Sequence, residues 1–242
     1  MRTLALLLLS GSLAFGQAFT FGDPCFVAAL ENKLPPTIGY WRFDSDAGGV
    51  FADDSGLAQN LTPAGILVAG KFNNAWSVSA VASAVRLTNI TANLTFSAWV
   101  KFHSFDTGGN PCNEVYQDGE DSDYGMQVLF FGDSAFFQLI IDGAEQNIFT
   151  TAHLSTNTWH HVAVTYNNTA ITAYVNGGQV GSIFVSGNLR ISGDSNQYVG
   201  NTSNSVRLFD GEIDDLAKWN VTLTAKQIQQ IYSSGVPIKN QL

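Results

Sequence analysis

The densest group of metal-ligating side chains in this sequence lies between Asn113 and Tyr124. Five of the 20 acidic residues of the chain fall in this stretch: Glu114, Asp118, Glu120, Asp121 and Asp123. Grouped carboxylates can hold Ca²⁺, which prefers oxygen ligands, or can contact a basic partner. The stretch lacks the twelve-residue calcium-loop signature, so a solvated acidic loop is the alternative. We treat the last four acids as a candidate acidic site.

The segment Gly132-Asp133-Ser134 places a serine beside a carboxylate, which resembles the nucleophile turn of one group of esterases. A serine nucleophile needs a base, but the sequence contains neither D-x-x-H, which would supply that base, nor G-x-S-x-G. His160 and His161 are adjacent in a predicted strand, so they point to opposite faces and do not form a metal pair. We therefore predict that the protein is not an enzyme.

Composition limits the class of protein that carries these groups. Charged residues make up 13% of the 242 residues and hydrophobic residues 45%, whereas charged residues usually account for about 25% of a chain. Such a sequence can bury a full core, which excludes a disordered chain. The formal net charge of −9 repels phosphate backbones, so we expect no nucleic-acid partner.

The first residues have the pattern of a secretory signal peptide. Arg2 precedes the apolar run Leu4–Leu9, and small residues follow. We predict a signal peptide over residues 1–16, with cleavage after Ala18 as the alternative, and a secreted, extracellular protein. Residues 19–36 are expected to form an irregular N-terminal arm. The apolar run is too short to cross a bilayer, and no later stretch is long enough, so no membrane span is predicted.

Cys25 and Cys112 are the two cysteines of the chain. Disulfides persist in exported proteins, and a Cys25–Cys112 bridge would contribute roughly 4 kcal/mol of stability if it is unstrained. We predict this bridge; two separate thiols are the alternative.

Strict alternation of apolar and polar residues dominates the chain after Tyr40. In the run Leu94–His103, every second side chain from Leu94 to Phe102 is apolar, which predicts a half-buried strand. Similar runs occur at Met126–Phe131, Phe136–Ile141, His160–Tyr166 and Ile171–Val175. Turn sequences such as Asn176-Gly177-Gly178 separate them. Many short strands at even spacing predict an all-β protein, namely an antiparallel β-sandwich or jelly roll.

One short helix is predicted near the C-terminus. Thr224 can cap it, and Gln227 completes a T-x-x-Q capping box. Ile228 and Ile231 would face inward, and Gly235 would end the helix.

Seven segments of the chain occur in an informative order. They are Gly39–Asp44, Asp53–Gly56, Phe96–Lys101, Trp159–Val162, Tyr174–Gly177, Gly211–Asp215 and Leu223-Thr224-Ala225 with Ile228–Gly235. In this order they resemble the laminin-G-like, concanavalin-A-like jelly-roll family, and we place such a domain at residues 37–238. The resemblance implies two curved antiparallel sheets, frequent calcium binding, and recognition of glycans or extracellular proteins.

The resemblance also implies positions for the calcium ligands. Related jelly rolls often hold one calcium between the start of the domain and its final strand, using the Asp of the closing G-x-I-D motif. Asp214 matches that Asp, Asp44 ends the first strand, and Asp53 opens the D-D-S-G turn, so these are the candidate Ca²⁺ ligands. Leu57 and Asn60 depart from the common form of this turn. The alternative is that Asp214 accepts hydrogen bonds from turn amides without a metal.

The aromatic residues fall into two groups, candidates for the core and candidates for the rim of a ligand site. Four tryptophans match positions where the family carries core aromatic residues: Trp41, Trp99, Trp159 and Trp219. Three tyrosines in or beside predicted loops are the candidates for the rim of a ligand site: Tyr116, Tyr124 and Tyr198.

Six N-x-S/T sequons are present, and the first, at Asn60, is weakened by Thr62-Pro63. The candidate N-glycosylation sites are therefore Asn89, Asn93, Asn167, Asn201 and Asn220.

We predict a secreted, non-catalytic binding or adhesion module that recognises a glycan or an extracellular protein and carries a structural calcium. One alternative is a matrix or filament subunit that associates with itself. A second is a divergent glycan-active hydrolase or lyase, because related hydrolases carry acids in an E-x-D-x-x-E or E-x-D-x-E pattern. Glu212-Ile213-Asp214 begins that pattern, but Leu216 and Ala217 stand where the last acid belongs.

Overall fold

The structure, a computed structural model, describes residues 33–62, 65–85, 90, 92–105, 112–120, 123–150, 152–190, 192–193 and 195–241. These residues form two antiparallel β-sheets, one α-helix and a short 3₁₀ turn at Ile238–Asn240. The predicted all-β sandwich with one short C-terminal helix is confirmed. No helix in the described ranges has the length and hydropathy to cross a membrane.

The first sheet has eight strands. They are β1 (Gly39–Trp41), β2 (Ile66–Ala69), β3 (Asn74–Ser77), β5 (Asn93–Phe102), β10 (Trp159–Asn167), β11 (Ala170–Val175), β12 (Gly178–Phe184) and β14 (Gly211–Trp219). Seven of them follow the order β12-β11-β10-β5-β14-β3-β2, and β1 pairs with β14. The first and the last strand of the described residues, β1 and β14, are therefore neighbours.

The second sheet has six strands. They are β4 (Ala82–Val85), β6 (Cys112–Glu120), β7 (Asp123–Phe131), β8 (Ser134–Ile141), β9 (Ala144–Phe149) and β13 (Asn196–Val199). Their order is β4-β13-β6-β7-β8-β9. Tight turns at Gly132 and Gly143, both with positive φ, connect β7 to β8 and β8 to β9.

The core lies between the two sheets and follows from the alternation in each strand. Phe96 and Val100 of β5 face Val128 and Phe137 of the six-stranded sheet, and all four are fully buried. Burial of such side chains supplies most of the favourable free energy of folding. The alternate residues of the same strands point to the outer faces of the sandwich, where the candidate sites lie.

The helix α1 (Ala225–Ser233) has the predicted start and the predicted buried face. The Gln227 amide N–H donates to Thr224 Oγ1, and the reciprocal bond of the capping box is present. Ile228 and Ile231 are buried against Tyr40 and Trp219 on the outer face of the eight-stranded sheet. The helix thus covers part of that face.

The tryptophan prediction is confirmed at three of its four positions. Trp41, Trp99 and Trp219 are at most 1% exposed. Trp159 is half-buried instead, because it lies at the first position of β10, where its ring contacts the Lys101 ammonium at 5.2 Å from the ring centroid.

A polar network inside the core overturns the prediction that Tyr116 lies at a ligand rim. Tyr116 is fully buried between the sheets. The Lys218 ammonium, 2% exposed, donates to Tyr116 Oη at 2.6 Å and to Gln197 Oε1 at 2.9 Å. A buried cation needs such partners, so the tyrosine is held as a structural ligand of Lys218.

Several predictions fall outside the described residues. These are the signal peptide over 1–16, nearly all of the arm over 19–36, and the positions of Cys25, Asn89 and Asp121. Cys112 is buried beside Leu129 and Phe136, and burial raises the pKa of its thiol. The Cys25–Cys112 bridge stays a prediction.

Candidate functional site

The outer face of the six-stranded sheet, turned away from the core, carries two rows of side chains that cross the strands. Strand register sets the members of the first row in the order Glu114, Leu129, Phe136 and Phe149. Register sets the members of the second, here called the amide row, in the order Gln117, Gln127, Gln138 and Asn147. Apolar and hydrogen-bonding groups thus run side by side.

A groove of about 300 Å³ lies over these rows. Its lining consists of Tyr124, Gln127, Leu129, Phe131, Phe136, Gln138 and Arg207. Arg207 reaches it from the segment 200–208, which is fastened to β6 because the Glu114 N–H donates to the Arg207 carbonyl at 2.9 Å. The volume lies at the lower end of ligand pockets, which range over about 300–1,000 Å³.

The apolar side of the groove is an aromatic cluster. The ring centroids of Phe131, Phe136 and Phe149 are 4.4–5.5 Å apart. Phe149 is 60% exposed, although phenylalanine is usually buried. The cluster therefore presents ring surface to solvent beside the groove.

The polar side of the groove is a hydrogen-bonded network. Tyr124 Oη donates to Gln138 Oε1 at 2.7 Å. Gln138 Nε2 in turn donates to Glu145 Oε2 at 3.0 Å and to Asn147 Oδ1 at 2.9 Å. Burial, followed by the Glu145 charge, raises the pKa of Tyr124 to about 12, so its hydroxyl stays protonated at neutral pH.

The rim candidates are separated by the structure. Tyr124 lines the groove, and Tyr198 is half-buried opposite Gln117, where it extends the amide row onto β13. Tyr116 lies in the core, as described above. Composition and motif patterns did not single out Gln127, Gln138 or Arg207. The pairing of β7 with β8 brings the two glutamines together, and the segment 200–208 packed on β6 adds Arg207.

The predicted acidic site is not gathered into one place. Asp123 forms an ion pair with Arg190, Asp118 is buried, and Glu120 is exposed at the end of β6. Asp121 lies outside the described residues. Within the described ranges, no three His, Cys, Asp or Glu side chains are grouped closely enough to hold a metal ion.

Asp214 has one buried oxygen that fits a cation. The Phe72 N–H donates to Asp214 Oδ2 at 2.9 Å, whereas Oδ1 is buried and accepts no hydrogen bond from any described residue. Burial, with further contributions from the charges of Asp215 and Asp44, raises the pKa of Asp214 to about 8 although the Phe72 hydrogen bond opposes the shift. A bound cation would give Oδ1 a partner and would stabilise the charged form of Asp214.

Gly70 allows the β2–β3 turn to approach this carboxyl group. A Cβ atom at Gly70 would lie 2.8 Å from Asp214 Oδ2 and 2.5 Å from the Asn74 carbonyl, so larger residues would displace the turn. Asp44 contacts Asn74 at the end of the same turn. Its carbonyl accepts from Asn74 Nδ2 at 2.8 Å, and its Oδ2 contacts Arg42 Nη1 at 2.7 Å.

Asp53 does not fit as a calcium ligand. Its Oδ1 accepts from the N–H groups of Tyr40 and Ser55, both at 2.9 Å. Its Oδ2 accepts from the Ser55 hydroxyl at 2.8 Å and the Gln59 N–H at 3.0 Å. Four donors already occupy the carboxylate, which therefore organises the D-D-S-G turn. Asp44 and Asp214 remain as candidates, and two carboxylates would need carbonyl or water oxygens to complete a calcium shell.

Asp215 is engaged by other partners. It accepts hydrogen bonds from the Tyr40 hydroxyl and from the Ile238 N–H. Burial raises its pKa to about 6, although the Tyr40 hydrogen bond opposes the shift. This carboxyl group ties the 3₁₀ turn to β1 and β14.

The Asp133-Ser134 pair noted in the sequence lies next to His153, which the sequence patterns did not identify. The His153 ring contacts Asp133 Oδ2 at 2.6 Å, and Ser134 Oγ donates to Asp133 Oδ1 at 3.2 Å. In a catalytic triad the histidine lies between the serine and the acid. Here Asp133 lies in the middle, so this arrangement differs from a catalytic triad.

The E-x-D pattern of β14 is also structurally engaged. Glu212 Oε1 contacts the His103 ring at 2.7 Å, and Glu212 Oε2 lies 3.3 Å from the Lys101 ammonium. Both carboxylate oxygens of Glu212 are therefore engaged by basic side chains of β5 and the residue that follows it.

Three sequons lie at one end of the eight-stranded sheet. Asn93 and Asn167 are exposed partners across β5 and β10, and the exposed Asn220 directly follows β14. Asn201 differs, because it is 3% exposed and its Oδ1 accepts from the N–H groups of Thr202 and Arg207.

We expect N-glycans at Asn93, Asn167 and Asn220, and none at Asn201, when the chain is secreted by eukaryotic cells. An N-glycan is attached to Nδ2, so at Asn201 it would force a buried side chain outward. The two backbone hydrogen bonds of Oδ1 would then be lost, and that species would not fold. Glycopeptide mass spectrometry after enzymatic deglycosylation measures each site. A folded, secreted protein modified at Asn201 would contradict this prediction.

The chain belongs to the concanavalin A-like lectin/glucanases superfamily. The Laminin_G_3 model, described as the concanavalin A-like lectin/glucanases superfamily, matches residues 74–229, well over half of the chain. The resemblance noted in the sequence is thereby confirmed.

Two mouse proteins are similar to this chain over a small part of their own length. "Sushi, von Willebrand factor type A, EGF and pentraxin domain-containing protein 1" is 24% identical over 176 residues, which are 67% of this chain and 5% of that protein. Usherin is 24% identical over 161 residues, 63% of this chain and 3% of that protein. The chain thus spans only a few per cent of these curated relatives.

Solved structures with the same fold include toxin binding domains. The binding domain of Paraclostridial Mosquitocidal Protein 1 has a TM-score of 0.66 at 15% identity, covering 82% of this chain and 52% of that one. The binding domain of botulinum neurotoxin DC in complex with SialylT has a TM-score of 0.64 at 17% identity, covering 83% and 52%. At these sequence identities the likeness shows a shared fold alone.

Proposed function

We propose that the protein is a secreted, non-catalytic binding module that holds part of a glycan in the groove of the six-stranded sheet. The observation that carries this proposal is the groove itself, where an exposed aromatic cluster lies beside an amide row. Rings match the apolar face of a sugar, and amides match its hydroxyl groups. The family described as concanavalin A-like lectin/glucanases also supports a glycan, as does a solved structure of the same fold in complex with SialylT.

Calcium has a structural role in this proposal. Asp214 and Asp44 would hold Ca²⁺ at the β2–β3 turn, where the ion would tie the closing strand to the start of the domain. The buried Asp214 Oδ1 without a hydrogen-bond partner supports this choice. The ion would supply positive charge that stabilises the two carboxylates.

The proposal that the module is non-catalytic rests on the contacts of its acidic residues. Asp133 separates Ser134 from His153, and Glu212 is paired with Lys101 and His103. A base next to a nucleophile, or two acids facing each other across a cleft, is what hydrolysis requires. Secretion is supported by the pattern of the first residues, as argued from the sequence.

A glycan array probed with the purified protein, in calcium and in chelator, tests the function. We expect binding to a restricted set of glycans and about fivefold weaker affinity for Phe149→Ala, because stacking on an exposed ring contributes about 1 kcal/mol.

The matched control is Phe184→Ala. Phe184 is also an exposed phenylalanine at the end of an edge strand, 93% exposed on β12 of the other sheet, and its loss should leave glycan affinity unchanged. An array without signal, combined with capture of a purified extracellular protein or with self-association in light scattering, would replace the glycan proposal by one of those functions.

A further inference from the structure

The most informative residue of the groove is Gln127. It is 3% exposed and lines the groove, yet its amide makes no hydrogen bond within the described part of the chain. Its neighbours in the amide row are engaged elsewhere. Gln138 accepts from Tyr124 and donates to Glu145 and Asn147.

An amide without protein partners in the wall of a groove is satisfied by water or by a ligand. The carboxamide of Gln127 offers one acceptor oxygen and two donor hydrogens into the groove. A hydroxyl group can donate to the oxygen and accept from the nitrogen. An anion can only accept and an ammonium group can only donate, so either would leave half of the amide unsatisfied.

The charges around the groove also disfavour an anionic ligand. Arg207 is the one cationic residue among the described side chains of the lining. Its Nη1 lies 3.5 Å from Oε2 of the fully buried Glu114. The negative charge of Glu114 offsets the positive charge of the guanidinium. Glu145 adds a second carboxylate next to Gln138. The formal net charge of the chain is −9, so the long-range field repels anions as well.

From these observations we infer that the groove selects an uncharged saccharide unit and that Gln127 determines this specificity by bonding to a sugar hydroxyl. This inference rests on the proposed function, because it names the ligand class of the same groove. The aromatic cluster receives the apolar face of the sugar ring, while the amide row faces its hydroxyl edge. Acidic sugars, with a carboxylate or sulfate at that edge, are rejected by Glu145 and the Gln127 oxygen.

The test compares neutral and acidic glycans on one array and then measures the best neutral oligosaccharide by calorimetry at low and high salt. We expect neutral glycans to bind best, with an affinity that salt leaves nearly unchanged, because no ion pair forms. Gln127→Glu should weaken binding at least roughly tenfold, since it replaces the donor half of the amide by a negative charge. Gln127→Leu, which removes both halves, should weaken it similarly.

The matched control is Gln179→Glu, which makes the same change at an exposed position of β12 on the other sheet and should leave binding unchanged. Thermal unfolding of each variant establishes that it is folded, and the salt dependence of the wild type is independent of the variants. Acidic glycans that bind best, lose affinity with salt and respond to Phe149→Ala would overturn the inference while the proposed function stands. An array without any bound glycan would overturn both.

Discussion

Calcium should raise the melting temperature of the wild-type protein by about 5–10 °C at a hundredfold excess over its dissociation constant. Binding to the folded state alone contributes about 3 kcal/mol under these conditions by mass action, and a protein of this size gains roughly 2–4 °C for each kcal/mol. Asp214→Asn should remove most of this response, because Asn cannot supply the negative charge that the cation needs at the buried Oδ1 position. Calorimetry in calcium and in chelator measures the effect.

The matched control is Glu120→Gln, which also neutralises one acid but at an exposed position of the predicted acidic site. This variant should keep the full response to calcium. If Glu120→Gln loses the response and Asp214→Asn keeps it, the calcium site lies in the acidic stretch and the assignment to Asp44 and Asp214 is wrong. Equal melting temperatures of the wild type in calcium and in chelator would remove the calcium site altogether.

Without calcium, the protein should become less stable as the pH rises from about 6.5 to 8.5. Asp214 has a folded-state pKa of about 8, raised by burial above its ordinary value of 3.8, so the folded state holds a proton that the unfolded state has lost. The stability contributed by that proton is complete below the unfolded-state pKa and disappears as the pH passes through the folded-state pKa. We expect a loss of about 2 kcal/mol over this window.

Other titrating groups contribute little to the pH dependence of stability between pH 6.5 and 8.5. Burial, followed by the Lys71 charge, lowers the pKa of His161 to about 3, so this histidine reduces stability as the pH falls below its unfolded-state value of 6.5. Above that value its slope, opposite to that of Asp214, fades and amounts to only about 0.4 kcal/mol between pH 6.5 and 8.5. Asp215, with a pKa of about 6, has largely titrated by then.

Urea unfolding of metal-free protein at several pH values measures the slope, and Asp214→Asn should flatten it. Calcium should flatten it as well, because the cation replaces the proton on Asp214. A slope that persists in Asp214→Asn would assign the effect to another group.

Local sequence patterns predicted the class of fold well. The alternation in Leu94–His103 became β5, and the T-x-x-Q box at Thr224 became the start of α1. Both features depend on residues a few positions apart, and their hydrogen bonds and buried faces are set by the local backbone period. The family match over residues 74–229 confirms the resemblance carried by these segments.

The candidate site was predicted only in part, and Tyr116 explains why. Simple alternation places Tyr116 on the same face as Glu114, two residues earlier. The register of β6 against β7 shifts between these residues, and this β-bulge turns Tyr116 into the core, where it meets Lys218. A bulge depends on the partner strand, so the pattern of one strand does not reveal it.

The sequence by itself determined an acidic, all-β chain with a capped C-terminal helix, because composition and short-range periodicity suffice for these features. Only the tertiary structure decided which carboxyl groups are occupied by donors, as at Asp53, and which keep a buried oxygen for a cation, as at Asp214. It also decided that Gln127 and Arg207, 80 positions apart in the chain, line one groove. Strand pairing and loop packing bring distant residues together, and no local pattern encodes which of them will meet.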